Sequence, residues 1–469
     1  MTTIPAKRLI CALSLFALSG SIAVRAASLP DLWKERVKSV VAVDYFTELE
    51  NERRPTTAYG VAIDRQGTVI LPSAAVDPRA SPRQLKQFKA YLPGDSSGFD
   101  AVYLGQDAFT GWHFVRVDPK LAAQLTPITT WAAAGKSPVP ELAEEVWGIG
   151  LRNKDEDFTP YLLESHLALI QSLPQQIGIA QQEVASPGLP VFNRDGVFIG
   201  LAASSFGQTF LQFSQAERGG TPIMLIDLEE SCAFSLAGEV LPYLGRVPGN
   251  VNGRPLAWLG AYGLESMGRD VASFLKLSDR SGAVVSEVLE DSPAEKAGMK
   301  DGDVIVAIDG QPLPRFRPDR VVTDYVEREV ERRRPGDLMA LTVLRGTERV
   351  ELKAALGDEP KLIREADRKY FDRLGFTARE FVYGDAVARR VRVKDSAGVV
   401  VSYVKPNSPS AVAGIEPDDW IKEIDGRPVR SFADGADRLA ALEADTLRTE
   451  FVLLIGRGSG TSILRVKLR

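Results

Sequence analysis

The sequence predicts a mainly β protein with a β-rich N-terminal region and two related C-terminal domains. Three observations support this prediction. Residues 27–245 contain many short strands separated by Gly, Pro and Asp turns, a 36-residue segment occurs twice in the C-terminal half, and 44% apolar with 25% charged residues is ordinary for a globular protein. A length of 469 residues fits roughly two to four domains. Evenly spaced short strands are typical of barrels and sandwiches.

Charge and composition exclude several classes of function. The net charge of −5 argues against a nucleic-acid partner, because nucleic-acid binders usually carry a basic excess. Only two histidines and two cysteines occur, so neither a metal site nor an iron–sulfur cluster is expected, and no cofactor is predicted. Cys232 has no acid–base partner nearby in the sequence and is predicted to be a small buried hydrophobe.

The N-terminus has the pattern of a secretory signal peptide. Lys7 and Arg8 precede an apolar run, Leu9–Ala17, that is short for a membrane span. Val24 and Ala26 supply the small residues that signal peptidase reads, which predicts cleavage after Ala26. We therefore expect export to the periplasm or the exterior. The alternative is an uncleaved N-terminal anchor.

An internal repeat organises the C-terminal half. Residues 281–316 and 397–432 align without gaps, share 16 identities and lie 116 residues apart. This period is the length of a whole small domain, so it predicts two copies of one fold and not a solenoid.

Turn and cap residues predict the same elements in both copies. The first copy predicts a strand at Gly282–Val288, a short helix begun by Ser292-Pro293 and ended by Gly298, a strand at Val304–Ile308 and a tight turn at Asp309-Gly310. The second copy repeats this at Val399–Val404, Ser408-Pro409, Gly414, Trp420–Ile424 and Asp425-Gly426. A helix follows each copy, and the first shows an apolar stripe at Val322, Val326 and Val330.

These repeats resemble PDZ domains of the kind found in bacterial HtrA/Deg proteins. The resemblance implies binding of extended peptides by strand addition, often at a free C-terminus, with the terminal carboxylate held by backbone N–H groups of a glycine-containing loop. It assigns that carboxylate loop to Trp258, Leu259, Gly260 and Ala261 in the first copy and to Arg373, Leu374, Gly375 and Phe376 in the second. The alternative is that these are ordinary glycines at the starts of strands.

The N-terminal half resembles the trypsin-like domain of the same family. Residues 60–76, 99–118 and 185–202 are similar, in order and spacing, to the segments that carry the family's histidine, aspartate and serine. The resemblance implies a chymotrypsin-like double β-barrel followed by two PDZ domains. The predicted organisation is a signal peptide at 1–26, a degenerate trypsin-like domain at 27–245 and PDZ domains at 246–357 and 358–469.

The three catalytic positions carry residues that cannot perform serine-protease chemistry. In a gapless comparison the family's histidine falls on Ala74, its aspartate on Gly111 and its serine on Pro187. A serine protease needs a nucleophile, an imidazole base and a carboxylate that orients the base. Pro187 also lacks the N–H that the nucleophile contributes to the oxyanion hole. The sequence therefore predicts a pseudoprotease with no catalytic residue.

The strongest alternative is a displaced nucleophile. Ser186 lies one position before Pro187, and a local shift would make it the nucleophile of an active endopeptidase. His113 and His166 are the only histidines, and both are predicted to be packing residues without a nearby carboxylate. A lysine base is conceivable, but no spacing singles one out.

Three functions follow from this reading. The first is an exported HtrA-like pseudoprotease that binds peptides or protein C-termini through its PDZ domains and acts as adaptor, chaperone or regulator. By resemblance it would form a homotrimer or a mixed oligomer with an active relative. The second is the active peptidase that uses Ser186. The third is a structural envelope protein without selective peptide binding.

Overall fold

The computed structural model describes most of the chain after the expected signal peptide. The described residues are 27–468, with the exception of 51, 79, 134–138, 173, 204–209, 214–221, 227–229, 254–255, 275–279 and 393–395. The expected signal peptide, 1–26, and its cleavage after Ala26 lie outside the described residues. In the part that is described, no helix has the length and apolar character needed to cross a bilayer.

Six strands form the first closed barrel, with strand order β1-β2-β3-β6-β5-β4. A helix, α1 (Leu29–Arg36), precedes it and α2 (Pro119–Ala122) follows it. Closure pairs both edges of every strand. The strands are β1 (Val40–Glu48), β2 (Arg53–Ala62), β3 (Thr68–Leu71), β4 (Leu85–Tyr91), β5 (Phe99–Gln106) and β6 (His113–Val117).

A second closed barrel follows, with strand order β10-β11-β14-β9-β8-β7. β12 and β13 pair with each other in a separate two-stranded sheet, and a short helix, α3 (Ala237–Val240), follows the last strand. The strands of this region are β7 (Glu145–Leu151), β8 (Pro160–Gln171), β9 (Ile177–Ala180), β10 (Pro190–Asn193), β11 (Phe198–Ala202), β12 (Phe210–Phe213), β13 (Pro222–Ile226) and β14 (Ala233–Leu236). The two barrels and the sheets of the repeat regions confirm the predicted mainly β fold.

The two barrels share one hydrophobic core. Buried side chains of the first barrel, including Val61 and Phe114, belong to the same cluster as Trp147 and Phe192 of the second. The rings of Trp147 and Phe192 lie 4.8 Å apart. Apolar burial of this extent is the main stabilising term of such an arrangement, so the barrels form one unit.

The first repeat lies in a unit of short strands around one long helix. Its elements are β15 (Ala257–Trp258), β16 (Ala261–Tyr262), β17 (Glu265–Ser266), α4 (Arg269–Phe274), β18 (Ala283–Val284), β19 (Glu287–Val288), α5 (Pro293–Lys296), β20 (Val304–Ile308), β21 (Gln311–Pro312), α6 (Val321–Glu331), β22 (Leu338–Arg345), β23 (Glu348–Ala355) and β24 (Gly357–Asp358). The apolar stripe predicted for α6 is confirmed, because Val322, Val326 and Val330 are its buried residues.

The second repeat lies in a larger sheet with the order β25-β26-β27-β28-β30-β31. Its elements are β25 (Arg368–Phe371), β26 (Phe376–Glu380), α7 (Tyr383–Arg389), β27 (Val399–Val404), α8 (Pro409–Val412), β28 (Trp420–Ile424), β29 (Arg427–Pro428), α9 (Phe432–Ala444), β30 (Glu450–Arg457) and β31 (Gly460–Lys467). The strands predicted at Val399–Val404 and Trp420–Ile424 are confirmed with their bounds.

The predicted caps are also confirmed. Ser292 and Ser408 each accept a hydrogen bond from the backbone N–H three residues later, at 3.1 and 3.2 Å. Such N-caps satisfy a helix donor that has no partner within the helix. Two details differ from prediction. The strand predicted at Gly282–Val288 is divided into β18, which pairs with β17 and β20, and β19, which pairs with β16.

Cys232 is the second difference. It was predicted to be buried, yet it is exposed. Its neighbours Ser231 and Ala233 are both buried, so the extended backbone turns the cysteine outward. Successive side chains of an extended segment point to opposite sides. The pairing of the segment with the barrel decides which side chains face the solvent, and a local sequence pattern does not show this pairing.

Candidate functional site

The three segments that resemble protease catalytic loops meet at one cleft between the barrels. A Cβ built on Gly111 would lie 2.9 Å from Cβ of Ser73, and one built on Gly188 would lie 2.6 Å from Cδ of Pro72. These residues or their direct neighbours line a cleft of about 250 Å³. The structure therefore brings the loops of Ala74, Gly111 and Pro187 together, although they come from different parts of the sequence.

Gly111 occupies a position where a carboxylate side chain has no room. Its φ of +73° lies in the left-handed region, and any Cβ would collide with Ser73. Its N–H donates to the carbonyl of Asp107 at 2.9 Å. The Asp107 carboxylate is fully buried and accepts from Nε of Arg246 at 2.9 Å, so it holds this loop in place from within the protein.

Backbone donors beside Pro187 are already used within the fold. The N–H of Ala185 donates to the carbonyl of Ser231 at 3.4 Å, and the N–H of Ser186 donates to the carbonyl of Ile149 at 3.1 Å. Pro187 has no N–H to contribute. An oxyanion hole requires preorganised donors directed at the substrate. None of these three consecutive positions supplies one.

Ser186, the alternative nucleophile, lies inside the second barrel. Its exposed fraction is 1%, and its hydroxyl accepts from the N–H of Leu151 at 3.4 Å. The phenol of Tyr161 is also a hydrogen-bonding neighbour of Ser186. Burial raises the pKa of Tyr161, and the Tyr161 hydroxyl donates to Glu230, so this phenol is not a base at neutral pH.

Neither histidine supplies a base for Ser186. His113, with an exposed fraction of 3%, starts β6 in the first barrel, and its Nδ1 lies 2.9 Å from the hydroxyl of Tyr103. The pKa of His113 is lowered to about 4, mainly by burial; the guanidinium of Arg364 acts in the same direction, and a hydrogen bond with the backbone of Ser73 acts against it. His166 is exposed on β8. The described ranges contain no cluster of three or more His, Cys, Asp or Glu residues suited to a metal ion.

A side chain from the first repeat domain closes one side of the inter-barrel cleft. Nη2 of Arg328, on α6, lies 3.0 Å from Oε2 of Glu239, and its guanidinium lies 4.9 Å from the ring centre of Phe109. Arg328, Glu239 and Phe109 all line the cleft. Sequence reasoning missed this contact, because the ion pair joins residues 89 positions apart and no local pattern signals it.

The first carboxylate loop borders an open groove between the β16–β17 edge and α6. A cavity of about 190 Å³ is lined by the loop residues Trp258, Leu259, Gly260 and Ala261 together with Leu264, Val326 and Val330. Gly260 has a φ of +82°, and a Cβ there would lie 2.2 Å from Cβ of Ser292. Glycine is therefore required, and it allows close approach of a ligand to the backbone.

Three glutamates line the same groove, a feature that sequence reasoning did not find. They are Glu327 and Glu331 on α6, and Glu359 directly after β24. Burial raises the pKa of all three, and the charges of Glu327 and Glu359 raise that of Glu331 further. Among the described residues, no lysine or arginine forms a salt bridge with any of them. The groove is thus apolar at its floor and acidic at its rim.

The second carboxylate loop is engaged by the chain itself. The N–H of Gly375 donates to the carbonyl of Phe371 at 2.7 Å, and β25 pairs antiparallel with β26. The guanidinium of Arg373 donates to carbonyls at the end of α9, including that of Asp445 at 2.7 Å. Leu374 and Phe376 are buried in the core of this domain. Ligand contact by Arg373, Leu374, Gly375 and Phe376 stays a prediction. In this structure the Gly375 N–H and the Arg373 guanidinium already have partners within the domain.

The two repeat domains also touch at the first loop. The rings of Trp258 and Tyr383, the first residue of α7, lie 5.4 Å apart in an edge-to-face arrangement. The Tyr383 hydroxyl donates to the carbonyl of Glu290 at 3.4 Å. The second domain therefore covers one side of the Trp258 ring.

Two closed six-stranded barrels that meet at a cleft define a chymotrypsin-like fold. The PDZ domain family model matches residues 284–327 and 400–452. These matches fall in the two repeats.

Curated relatives are described as "Probable periplasmic serine endoprotease DegP-like". The protein of Pseudomonas fulva is 27% identical over 304 residues, covering 62% of this chain, and that of Brucella suis is 27% identical over 257 residues, covering 55%. The chain spans about half the length of these relatives, 57% and 45% respectively.

Solved structures show the same fold. The HtrA-type protease AlgW with a tripeptide has a TM-score of 0.51 and 19% identity, covering 72% of this chain and 99% of the other. AlgW with a decapeptide has a TM-score of 0.50 and 17% identity, covering 72% and 100%. The chain thus has two segments that match the PDZ domain family and a fold similar to that of HtrA-type proteases.

Proposed function

We propose that this chain is a pseudoprotease that binds extended peptides through its first PDZ groove. The observation that carries the proposal is the assembled cleft, where the three catalytic loops meet but present Ala74, Gly111 and Pro187. A fold that keeps its inter-barrel cleft without nucleophile, base or carboxylate retains a scaffold and no catalytic group.

The absence of the catalytic groups should have a large effect on turnover. Removal of one oxyanion-hole donor alone costs on the order of a hundredfold or more in turnover. Here the donor position is Pro187, and the N–H groups of Ala185 and Ser186 have partners within the fold. Nucleophile, base and donor are absent together, so a compensating change at one position would not restore activity.

The competing function is an active endopeptidase with Ser186 as nucleophile. Burial of Ser186 and the distribution of the two histidines argue against it, since a base must reach the nucleophile's proton. Ser186 would have to leave its contacts with Leu151 and Tyr161 before it could meet a substrate.

Cleavage of reduced casein by the purified mature chain tests this proposal, with Ser186→Ala as the paired variant. We expect no cleavage by either protein when both are folded by circular dichroism. Cleavage by the parent chain that is lost in Ser186→Ala would overturn the pseudoprotease proposal. Equal cleavage by both would instead indicate a contaminating protease, which repurification and an active-site probe would identify.

Peptide binding is supported by the first groove. An added strand would gain main-chain hydrogen bonds from the edge of β16 that has no partner strand in the described part of the chain, and the apolar floor would accept a side chain. The AlgW structures named above hold a decapeptide and a tripeptide. A structural envelope protein without peptide binding is the alternative. Under that alternative, Gly260→Val should leave the function unchanged. Under the proposed function, the same substitution should abolish peptide binding.

The biological setting is also part of the proposal. The relatives are named periplasmic, which together with the expected signal peptide supports export of this chain to the periplasm. There it would act as an adaptor, a chaperone or a regulator of an active relative in protein quality control. A homotrimer or a mixed oligomer is the assembly we expect, and sedimentation of the mature chain alone and with a relative would distinguish them.

A further inference from the structure

The two PDZ grooves differ in what lies on their open edge. In the first, β15, which ends at the first loop residue Trp258, pairs with β24, and one edge of β16 and β17 has no partner strand among the described residues. In the second, residues 368–371, which precede the loop, form β25, and this strand pairs with β26. The edge of β26 that a peptide would use is therefore covered by the chain.

β25 has the antiparallel direction and the position at the sheet edge that strand addition gives to a peptide. Peptides add to a sheet edge through main-chain hydrogen bonds, with side chains alternating into the groove. β25 runs antiparallel to β26, with Phe371 opposite Phe376 at the loop and Arg368 opposite Arg379 at the far end. It also contacts α9, the helix that forms the other wall of the groove.

Phe371 takes the place of a ligand's last residue. Its side chain has an exposed fraction of 1% and belongs to the same buried cluster as Leu439 and Leu442 of α9. Its carbonyl oxygen accepts the N–H of Gly375 at 2.7 Å, the kind of bond that the loop would offer to a terminal carboxylate. In the first domain, by contrast, no hydrogen bond from the N–H of Gly260 is found within the described ranges.

We propose that residues 368–371 are a built-in ligand of the second PDZ groove, so that the first groove is the site where this chain takes up a peptide. The statement that the first groove takes up the peptide rests on the proposed peptide-binding function. The statement that β25 occupies the second groove does not. A peptide could enter the second groove only by displacing β25.

The strand is held mainly by its own domain. Outside that domain, Nη1 of Arg83 lies 3.4 Å from Oδ1 of Asp367 in an exposed ion pair, and Nη1 of Arg368 lies 3.4 Å from Oε1 of Gln84. The ion pair is exposed and contributes little, and the partly buried Arg368 contact involves one side chain of β25. The backbone pairing with β26 and the burial of Phe371 lie within the second domain, so we expect β25 to stay in its groove when the barrel separates.

Hydrogen exchange of the mature chain without any peptide tests the occupation directly. We expect amides of residues 375–380 to exchange at least tenfold more slowly than those of residues 260–266, because β26 is paired on both edges. Equal exchange in the two segments would overturn the proposal. This measurement does not depend on peptide binding, so it stands even if the proposed function fails.

Peptide binding tests the consequence. The probe is a fluorescent hexapeptide with a free carboxylate that copies residues 366–371, Ala-Asp-Arg-Lys-Tyr-Phe. On a Gly260→Val background, which blocks the first groove, we expect no binding with β25 intact. Addition of Phe371→Gly should open the second groove and raise affinity at least tenfold, whereas the control Lys369→Ala, at an exposed position, should not.

Two outcomes would contradict this expectation. Binding of the hexapeptide to the Gly260→Val chain with β25 intact, accompanied by slower exchange of residues 376–380, would show an open second groove. Failure of a folded Phe371→Gly chain to bind would show that β25 does not occupy a ligand position. Should Phe371→Gly not fold, the exchange comparison on the parent chain decides the proposal.

Discussion

His113 illustrates how a single buried residue acquires a role that is unrelated to catalysis. The imidazole is buried in the first barrel against Tyr103, with ring centres 6.0 Å apart. A charged imidazole in such a place would lose its hydration, and the hydrogen bond with the backbone of Ser73 offsets only part of that cost. The His113 imidazole is therefore neutral at physiological pH. Its protonation on unfolding makes the free energy of unfolding depend on pH.

Stability should fall with acidification because of His113. Its folded pKa, about 4, lies below the ordinary value of 6.5, so the unfolded chain takes up the proton first. The contribution is complete above pH 6.5 and is lost as pH falls toward 4, on the order of 3 kcal/mol in total. Urea unfolding of His113→Asn and the parent chain at pH 7.5, 5.5 and 4.5 should show a shallower pH slope for the variant.

His166→Asn is the matched control for that experiment. His166 is exposed, so its replacement should leave the pH slope of unfolding unchanged. An identical slope for His113→Asn and the parent chain would contradict a buried neutral imidazole.

Helix α6 shows how one element serves two sites. Val326 and Val330 face the hydrophobic core and the first groove, Glu327 and Glu331 line the groove's rim, and Arg328 reaches the inter-barrel cleft. The 3.6-residue period of the helix separates these directions. A peptide in the groove therefore lies against the same helix that closes the cleft.

The groove glutamates should make peptide recognition depend on pH. Their raised pKa values mean that they lose charge at a higher pH than ordinary glutamates as the solution is acidified. Repulsion of a terminal carboxylate should then decrease. Two decapeptides that differ only in a free or an amidated C-terminus should show an affinity ratio that shifts toward the free acid between pH 8 and pH 5.5.

Glu331→Gln isolates the cause of that shift. Removal of one groove charge should strengthen binding of the free-acid decapeptide by roughly threefold at pH 8 and flatten its pH dependence. Glu348→Gln, on the exposed β23 and away from this groove, is the control. A ratio that is independent of pH in the parent chain would mean that the carboxylate does not lie near these glutamates.

At the scale of the whole molecule, long-range polar contacts dock the PDZ domains onto the barrels. The Arg328–Glu239 pair is largely shielded from solvent, with 20% and 23% side-chain exposure, and Arg246 links the segment after the second barrel to Asp107. The hydroxyl of Thr377 donates to Glu50 of the first barrel at 2.7 Å. Partly buried charged contacts are stronger than exposed ones, so they set the docking.

Arg328→Ala should loosen the first PDZ domain from the barrels. Loss of the ion pair and of the contact with Phe109 should cost about 1 kcal/mol of docking free energy. We expect faster cleavage by subtilisin in the segment 245–256 and a larger radius of gyration in solution scattering. Arg349→Ala, whose partner Glu351 is exposed on the same strand, should change neither. Unchanged cleavage of Arg328→Ala would show that contacts other than those of Arg328 hold the first PDZ domain on the barrels.

Much of the fold could be predicted because its signals are local. Strand patterns, serine caps and Asp-Gly turns act over a few residues, and both copies of the repeat carry them, so the elements from Ser292 to Gly310 and from Ser408 to Gly426 were predicted correctly. Residues 119–180 contain no sharp motif, yet they supply β7 and β8 of a closed barrel. Barrel closure depends on distant partners, which a local pattern does not identify.

Residue identity alone excludes an imidazole, a carboxylate and a hydroxyl at Ala74, Gly111 and Pro187, the positions that the family resemblance assigns to them, so the sequence was sufficient for this conclusion. Folding, in contrast, encloses Ser186, brings glutamates to the first groove and buries Phe371 in the second PDZ domain. Burial, hydrogen-bond partners and charge environment arise between segments far apart in the chain. These properties therefore exist only once the chain has folded.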